Sequence, residues 1–298
     1  MAGQRTRPAS EAHEVSPTRV AGTAPEQRAA LLFTGHLRDT CAWNRTTSAM
    51  EDQAASCRSA FQGRCDIYLH TWDELQKTTR EHLNAHLERG VSAWPCAGQV
   101  AKVLRPTAMT VENQATRNGA YKASPIDNTP FGDAQELPIN FRMNTASMAG
   151  GLSLMLSHAH TIGLRYTAAV RMRADLSTPR FQTLMPAHEG RDHFPSREAW
   201  RKIRTRAEQA ANGSLPQADA AELVTCRRPR SKRTDWCFWS TPPQPLLRTV
   251  LHLHRNFDQV HAWCEQWLRQ QRLPTFSENL LRCAMFDRNV SYSKFATY

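Results

Sequence analysis

The chain has 298 residues, of which 40% are hydrophobic and 22% are charged, a composition typical of a soluble globular protein. No run of 18 apolar residues occurs, which excludes a membrane-spanning helix, and the N-terminus lacks the apolar core of a secretory signal. The net charge of +11 predicts an anionic partner, such as nucleic acid, an anionic membrane or a phosphorylated ligand.

The sequence predicts one α/β domain over residues 29–298, preceded by a disordered tail over residues 1–28 that has no apolar period. In the first half we expect a strand at Ala30–Phe33, a helix at Trp43–Gln62, a strand at Ile67–Thr71, a helix at Glu74–Glu88, a weak strand within Val100–Val111, a long loop over 113–138, a helix at Asn140–Leu164 and a strand at Tyr166–Val170. In the second half we expect an irregular basic insert over 180–233, a strand at Thr234–Ser240, a helical stripe from Leu246 to Trp267 broken near Asn256, a short helix from Ser277 and a strand within Asn289–Tyr292. The strand–helix–strand start predicts parallel neighbours.

Charged residues follow the apolar strand at Tyr166–Val170. Arg171, Arg173 and Asp175 come directly after it, and Ser177–Pro179 then end regular structure. Open α/β sheets bind ligands at the carboxyl ends of their strands. Arginine suits phosphate oxygens and a carboxylate suits a hard divalent cation, so the stretch predicts a phosphate ligand with a metal. A solvated strand end with one surface ion pair is the alternative.

Two other strands also end in chemically useful residues. Gly35 and Arg38 follow the first strand, and Trp72 and Asp73 follow the second. Glycine lets the backbone approach a ligand closely. Because parallel strands end at the same edge, we expect Arg38, the Trp72–Asp73 turn and Asp175 to lie in one cleft. The sequence contains neither the glycine fingerprint of dinucleotide-binding folds nor a P-loop.

The eight cysteines form no CxxC pair, which argues against a structural zinc site. We expect reduced, buried thiols in a cytoplasmic protein, with disulfides as the alternative for an exported one.

The basic insert has two interpretations besides a solvated loop. Between Arg197 and Arg233 the sequence has ten Lys or Arg residues and four acids. This excess of positive charge favours contact with an anionic acceptor or a leaving diphosphate. A mobile flap beside the cleft would serve that purpose. A polyanion-binding module is the second interpretation, but aromatic residues are sparse and no nucleic-acid-binding motif occurs, so nucleic acid is not the expected partner.

Five segments in order carry a resemblance to glycosyltransferases with the GT-A fold: Phe33–Arg38, Asp66–Asp73, Asn140–Leu164, Val170–Leu176 and Asp235–Ser240. The resemblance covers roughly residues 30 to 295. It implies a Rossmann-type, mostly parallel central sheet flanked by helices. It also implies sugar transfer from a nucleotide-sugar donor to a hydroxyl of a glycan, protein or small-molecule acceptor.

The resemblance also implies roles for particular residues. Arg173-Ala174-Asp175 occupies the place of the DxD motif, so Asp175 would hold Mn²⁺ or Mg²⁺ while Arg173 replaces one carboxylate. Asp235 and Glu278 are candidates for the base that deprotonates the acceptor. Asp235 opens its strand, which would put it at the wrong edge. The donor would be bound by Gly35, Arg38, Asp73, Arg171 and Arg173. A GT-A-like protein that has lost catalysis is the remaining alternative.

Overall fold

The computed structural model describes residues 27–37, 44–78, 85–121, 138–174, 195–225, 237–270, 277–288 and 290–294. The strands are β1 Ala29–Thr34, β2 Cys65–Trp72, β3 Glu74–Thr78, β4 Ala85–Ser92, β5 Ala108–Glu112, β6 Ala168–Arg173, β7 Glu222–Thr225, β8 Cys237–Ser240 and β9 Ser291–Lys294. The helices are α1 Asn44–Ala60, α2 Trp94–Leu104, α3 Gln114–Tyr121, α4 Pro138–Thr161, α5 Arg197–Ala211, α6 Gln217–Ala220, α7 Gln244–Arg255, α8 Phe257–Gln270 and α9 Ser277–Asp287.

Within these ranges, seven strands form one mixed sheet in the order β5-β2-β1-β6-β8-β7-β9. The half from β5 to β6 is parallel, β8 is antiparallel to both of its neighbours, and β7 pairs with β9 in parallel. The predicted α/β class with a mostly parallel central sheet and flanking helices is therefore confirmed. None of the helices in the described ranges is long and apolar enough to span a membrane.

Helices cover both faces of the sheet, which explains why β1 is buried at every position. On one face, α1, α2 and α5 share a hydrophobic core with the odd-numbered residues of β1. On the other face, α4, α7, α8 and α9 share a second core with Ala30 and Leu32 of β1. The break near Asn256 is confirmed, because α7 ends and α8 begins there.

The predicted helix at Glu74–Glu88 is wrong. This segment instead forms the antiparallel pair β3–β4, in which Glu74 pairs with Ser92 and Lys77 pairs with His86. Helix propensity is a weak prior, worth only a few tenths of a kcal/mol per residue, so pairing of backbone groups between two segments overrides it.

The weak strand predicted within Val100–Val111 is confirmed as β5, which spans Ala108–Glu112. Residues 100–104 of that range are helical, because α2 buries Ala97, Val100 and Leu104 at helical spacing and has a proline in its first turn. Residues 114–121 form α3 rather than a loop, and its first turn is capped where the Thr116 N–H donates to Asn113 Oδ1 at 2.7 Å. The rest of the predicted long loop lies outside the described residues.

The basic insert is not irregular where it is described. Ser196 caps α5, which buries Trp200, Ile203 and Ala207 against the first face of the sheet, and β7 is an inner strand of that sheet. Arg206 lies 2.9 Å from Asp219 and 2.6 Å from Glu222. Residues 195–225 are thus part of the core rather than a flap, and residues 180–194 and 226–233 lie outside the described ranges.

Polar side chains are linked at the amino edge of the parallel strands. Arg28 lies 2.9 Å from Asp66, Tyr166 donates a hydrogen bond to Asp66 at 2.7 Å, and the Tyr68 hydroxyl is 2.5 Å from that of Tyr166 and 2.8 Å from His158 Nδ1. Burial raises the pKa of Tyr68 to about 12 and also raises that of Tyr166, so both hydroxyls stay protonated at neutral pH. Arg28, the last residue of the predicted tail, is therefore part of the fold, and residues 1–26 of that tail lie outside the described residues.

The prediction of reduced thiols is wrong for the described cysteines. Cys57 at the end of α1 is bonded to Cys65 at the start of β2, and Cys264 on α8 is bonded to Cys283 on α9. Cys96 and Cys237 are also disulfide-bonded. The spacing along the chain could not reveal these pairs, because each depends on how the helices pack.

Candidate functional site

The order of the strands reverses beside β1, and this reversal defines a switch point. The chain runs from β1 through α1 to β2 on one face, whereas it reaches β6, on the other side of β1, through α4 on the opposite face. In open α/β sheets, ligands bind in a crevice at such a switch point, outside the carboxyl ends of the strands. We therefore expect a ligand crevice outside the ends of β1 and β6 and use the name crevice for this place.

Three strands end together at this crevice. Thr34 pairs with His70 of β2 on one side and with Arg173 of β6 on the other. Beyond the paired residues, the Gly35 N–H donates to the His70 carbonyl at 3.1 Å and the Ala174 N–H donates to the Thr34 carbonyl at 3.0 Å. The first, second and central strands therefore end at one edge of the sheet, and the common cleft for Arg38, the Trp72–Asp73 turn and Asp175 stays a prediction.

Gly35 turns the chain away from β1 with a φ of 111°. L-residues rarely adopt this region, so the backbone conformation requires glycine here. Space does not require it, because no atom lies within 4 Å of a Cβ built at this position. Leu37 returns the loop to the core with no exposure. Arg38 and Asp175, which follow these strand ends, lie outside the described residues.

Arg171 and Arg173 point to the same face of the sheet because they are two residues apart on β6. Arg171 is 1% exposed, and its Nε donates to Thr34 Oγ1 at 2.8 Å. Its Nη2 donates to Asn144 Oδ1 of α4 at 3.0 Å, and the central carbon of the guanidinium lies 5.4 Å from the centre of the Phe238 ring. Arg171 thus fixes the strand end, whereas half-buried Arg173 lies one step closer to the crevice.

A buried cluster fixes the end of β2. The His70 side chain is 2% exposed, with Nδ1 3.0 Å from Ser147 Oγ and Nε2 3.0 Å from Glu112 Oε2. Glu112 also accepts a hydrogen bond from Arg117 Nε at 2.7 Å. Burial opposes ionisation of Glu112, but its hydrogen bonds with His70 and Arg117 outweigh burial and hold the Glu112 pKa below its ordinary value.

The Ser147–His70–Glu112 cluster has the composition of a hydrolase triad but not its function. Ser147 has no exposure and lies on α4, which packs against the sheet, so a substrate cannot reach its hydroxyl. The cluster is a structural clamp on β2. Sequence reasoning missed this cluster, because Ser147 and Glu112 lie 77 and 42 residues from His70 along the chain.

Helix α4 approaches this clamp through Gly150 and Gly151. A Cβ at Gly150 would lie 2.2 Å from His70 Cδ2, and one at Gly151 would lie 2.6 Å from Thr34 Cγ2. Side chains at these positions would push α4 away from the ends of β1 and β2. The two glycines therefore allow the close packing of α4 on the ends of β1 and β2.

Replacing Gly150 with alanine should lower the free energy of unfolding by about 1–3 kcal/mol, the usual cost of overpacking. The displaced ring should also lose its contacts with Ser147 and Glu112. Chemical denaturation would measure the change. Gly98→Ala is the matched control, since Gly98 is also helical, is exposed, and has no atom within 4 Å of a built Cβ. That variant should gain about 0.5–1 kcal/mol; a Gly150→Ala protein as stable as Gly98→Ala would contradict the close packing.

Two other residues of the predicted site are Asp73 and Glu278. Both carboxylate oxygens of Asp73 accept hydrogen bonds, from Asn113 Nδ2 at 2.6 Å and from the Gln114 N–H at 2.8 Å, so this side chain holds the start of α3. Glu278 lies in the first turn of α9, and its side chain is outside the described part of the structure.

The prediction that the Asp235 strand starts at the wrong edge is corrected. Because β8 runs antiparallel to β6, its first residue, Cys237, pairs with Met172 near the carboxyl end of β6. The chain therefore enters β8 at the edge that carries the crevice. Asp235 itself, two residues earlier, is outside the described ranges.

Among the described residues, no group of three or more His, Cys, Asp or Glu side chains could hold a metal ion. Two acids that bear on this question, Asp175 and Asp235, are not among them. Searches of protein-family models, curated proteins and solved structures each found no match to this chain.

Proposed function

We propose that this protein is a nucleotide-sugar-dependent glycosyltransferase. The observation that carries the proposal is the switch point of the sheet, where the Gly35 turn and Arg173 lie on the adjacent ends of β1 and β6. Transfer of a glycosyl group needs a stabilised leaving diphosphate, and preorganised positive charge supplies that stabilisation. Arginine also suits phosphate geometry, because its planar donors bind two oxygens at once.

The chain's own residues divide the work in this proposal. Arg171 holds the end of β6 against Thr34 and Asn144, and Arg173 contacts the diphosphate. The turn at Gly35 keeps the loop after β1 close to the sheet, so that the nucleotide can lie over the ends of the strands. A GT-A-type sheet is compatible with the observed strand order.

A divalent cation is part of the proposal through one residue. Asp175 follows Ala174, whose N–H is bonded to Thr34, so its carboxylate belongs to the chain segment leaving the crevice. A carboxylate oxygen is a suitable ligand for Mn²⁺ or Mg²⁺. The cation would add positive charge at the diphosphate, beside that of Arg173.

Of the two candidates for the general base, the topology favours Asp235. It precedes β8 at the edge of the crevice, whereas α9, which carries Glu278, packs with α8 and β9 beyond the far half of the sheet. A base at the crevice edge could take the proton of an acceptor hydroxyl as the sugar is transferred.

The polyanion-binding alternative has less support from the described part of the basic segment. Arg204 lies 2.7 Å from Glu208, and Arg206 is held by Asp219 and Glu222 and stacks 5.5 Å from the Trp239 ring. These charges are used within the fold.

A thermal-shift screen tests the proposal. We expect one nucleoside diphosphate, and its sugar derivative, to raise the melting temperature by several degrees at 100 times its Kd, because binding then stabilises the protein by about 2.7 kcal/mol. Mn²⁺ should increase the shift, and Asp175→Asn should remove only that increase. Donor hydrolysis must accompany binding; binding without turnover would identify an inactive relative. A response only to heparin or DNA, lost at high salt, would overturn the proposal.

A further inference from the structure

We infer that this chain folds in an oxidising compartment and, given the proposed function, that its acceptor is a glycoconjugate of the secretory route. The observation is that all six cysteines in the described part of the chain are disulfide-bonded. Disulfides form and persist in oxidising compartments, whereas cytosolic thiols are kept reduced. The compartment therefore differs from the cytoplasm expected from the sequence.

The positions of the bridges argue that they are structural rather than catalytic. Cys57, Cys264 and Cys283 have no exposure, and Cys65 is 5% exposed. Catalytic and redox-sensing cysteines need an accessible thiolate, which these sites do not offer.

The same burial determines when the bridges form. Cys57–Cys65 lies in the core on the α1 face of the sheet, and Cys264–Cys283 lies in the core on the α4 face. An oxidant cannot reach sulfur atoms inside a completed core, since thiol–disulfide exchange needs direct attack on sulfur. The bridges must therefore close while the chain folds, so the compartment where folding occurs must be oxidising.

The compartment restricts the chemistry of the acceptor. A transferase retained in an oxidising compartment meets molecules that pass along the secretory route and not cytosolic proteins. The donor must then be delivered across a membrane by a transport step, because a charged nucleotide-sugar does not cross a bilayer unaided.

Cysteine mapping tests the compartment without reference to activity. The full chain would be produced in a secretory host behind a cleavable signal sequence and, separately, in a reducing bacterial cytosol. Both proteins would be denatured in the presence of N-ethylmaleimide, which alkylates free thiols, and then digested without reductant. We expect the secreted protein to yield the Cys57–Cys65 and Cys264–Cys283 linked peptides, and to melt cooperatively. The cytosolic protein should carry alkylated cysteines and lack a cooperative transition.

The opposite result is equally clear. A cytosolic protein with alkylated thiols that melts at the same temperature as the secreted one would overturn the inferred compartment. Secreted protein with free thiols at these four positions would overturn it as well.

Acceptor assays with the secreted protein test the second part. With the donor identified by thermal shift, labelled sugar should enter secreted glycoproteins at least tenfold more than cytosolic proteins at equal mass. Equal labelling of both would overturn the acceptor class. Failure of donor hydrolysis would instead overturn the proposed function and leave the mapped bridges as the independent support for the compartment.

Discussion

Replacing Arg173 with glutamine should reduce sugar transfer on the order of 100-fold, the effect of deleting one preorganised electrostatic group. Arg173 is half-buried at the end of β6, so urea unfolding of the variant would be measured as well, to separate an effect on sugar transfer from an effect on stability. The nucleotide-induced thermal shift and the transfer rate would both be measured. Arg201→Gln, on the exposed face of α5, removes the same charge and should leave the thermal shift and the transfer rate unchanged.

Arg171 gives a second comparison on the same strand. Arg171→Met should lower the free energy of unfolding by about 2 kcal/mol, because it leaves the hydrogen-bond acceptors Thr34 and Asn144 without their donor. We therefore expect Arg173 to govern nucleotide binding and Arg171 to govern stability. An Arg173→Gln protein with normal turnover would remove the main support for the proposed function.

Removing the Cys264–Cys283 bridge by alanine at both positions should cost at least about 3 kcal/mol, from loop-closure entropy for a separation of 19 residues. The Cys57–Cys65 bridge closes a separation of 8 residues and should cost about 2.5 kcal/mol. Urea unfolding would measure both, and the m-value should rise because the unfolded chain expands.

Wild-type protein unfolded with excess dithiothreitol is the control for these variants. It should unfold at a lower urea concentration than either double variant, or without a cooperative transition, since it loses both of these bridges and also those of Cys96 and Cys237. If the Cys264→Ala, Cys283→Ala protein unfolded at the urea concentration of the oxidised wild type, the bridge would contribute nothing to stability.

The sequence was sufficient to predict the strands that build the crevice. β1, β2 and β6 are buried on both faces and therefore appear as short apolar runs, and charged or flexible residues follow each of them. Gly35, Arg171 and Arg173 could be selected for that reason alone. The edge at which each strand ends followed from its predicted parallel direction.

The elements that were missed depend on contacts between distant segments. The β3–β4 pair forms through backbone pairing that leaves no clear apolar pattern, and the direction of β8 is fixed only by its pairing with β6. The clamp on His70 joins side chains from β2, β5 and α4. Helix α5 was missed because its apolar face is narrow and the surrounding arginines suggested a loop.

The linked side chains at the amino edge of the sheet tie its three central parallel strands together at the end away from the crevice. Arg28, Asp66, Tyr68 and Tyr166 connect the starts of β1, β2 and β6 there, while His70 holds the carboxyl end of β2. Regions with many buried contacts open only with the whole domain. The backbone amides of these three strands should therefore exchange their hydrogens only when the whole domain unfolds.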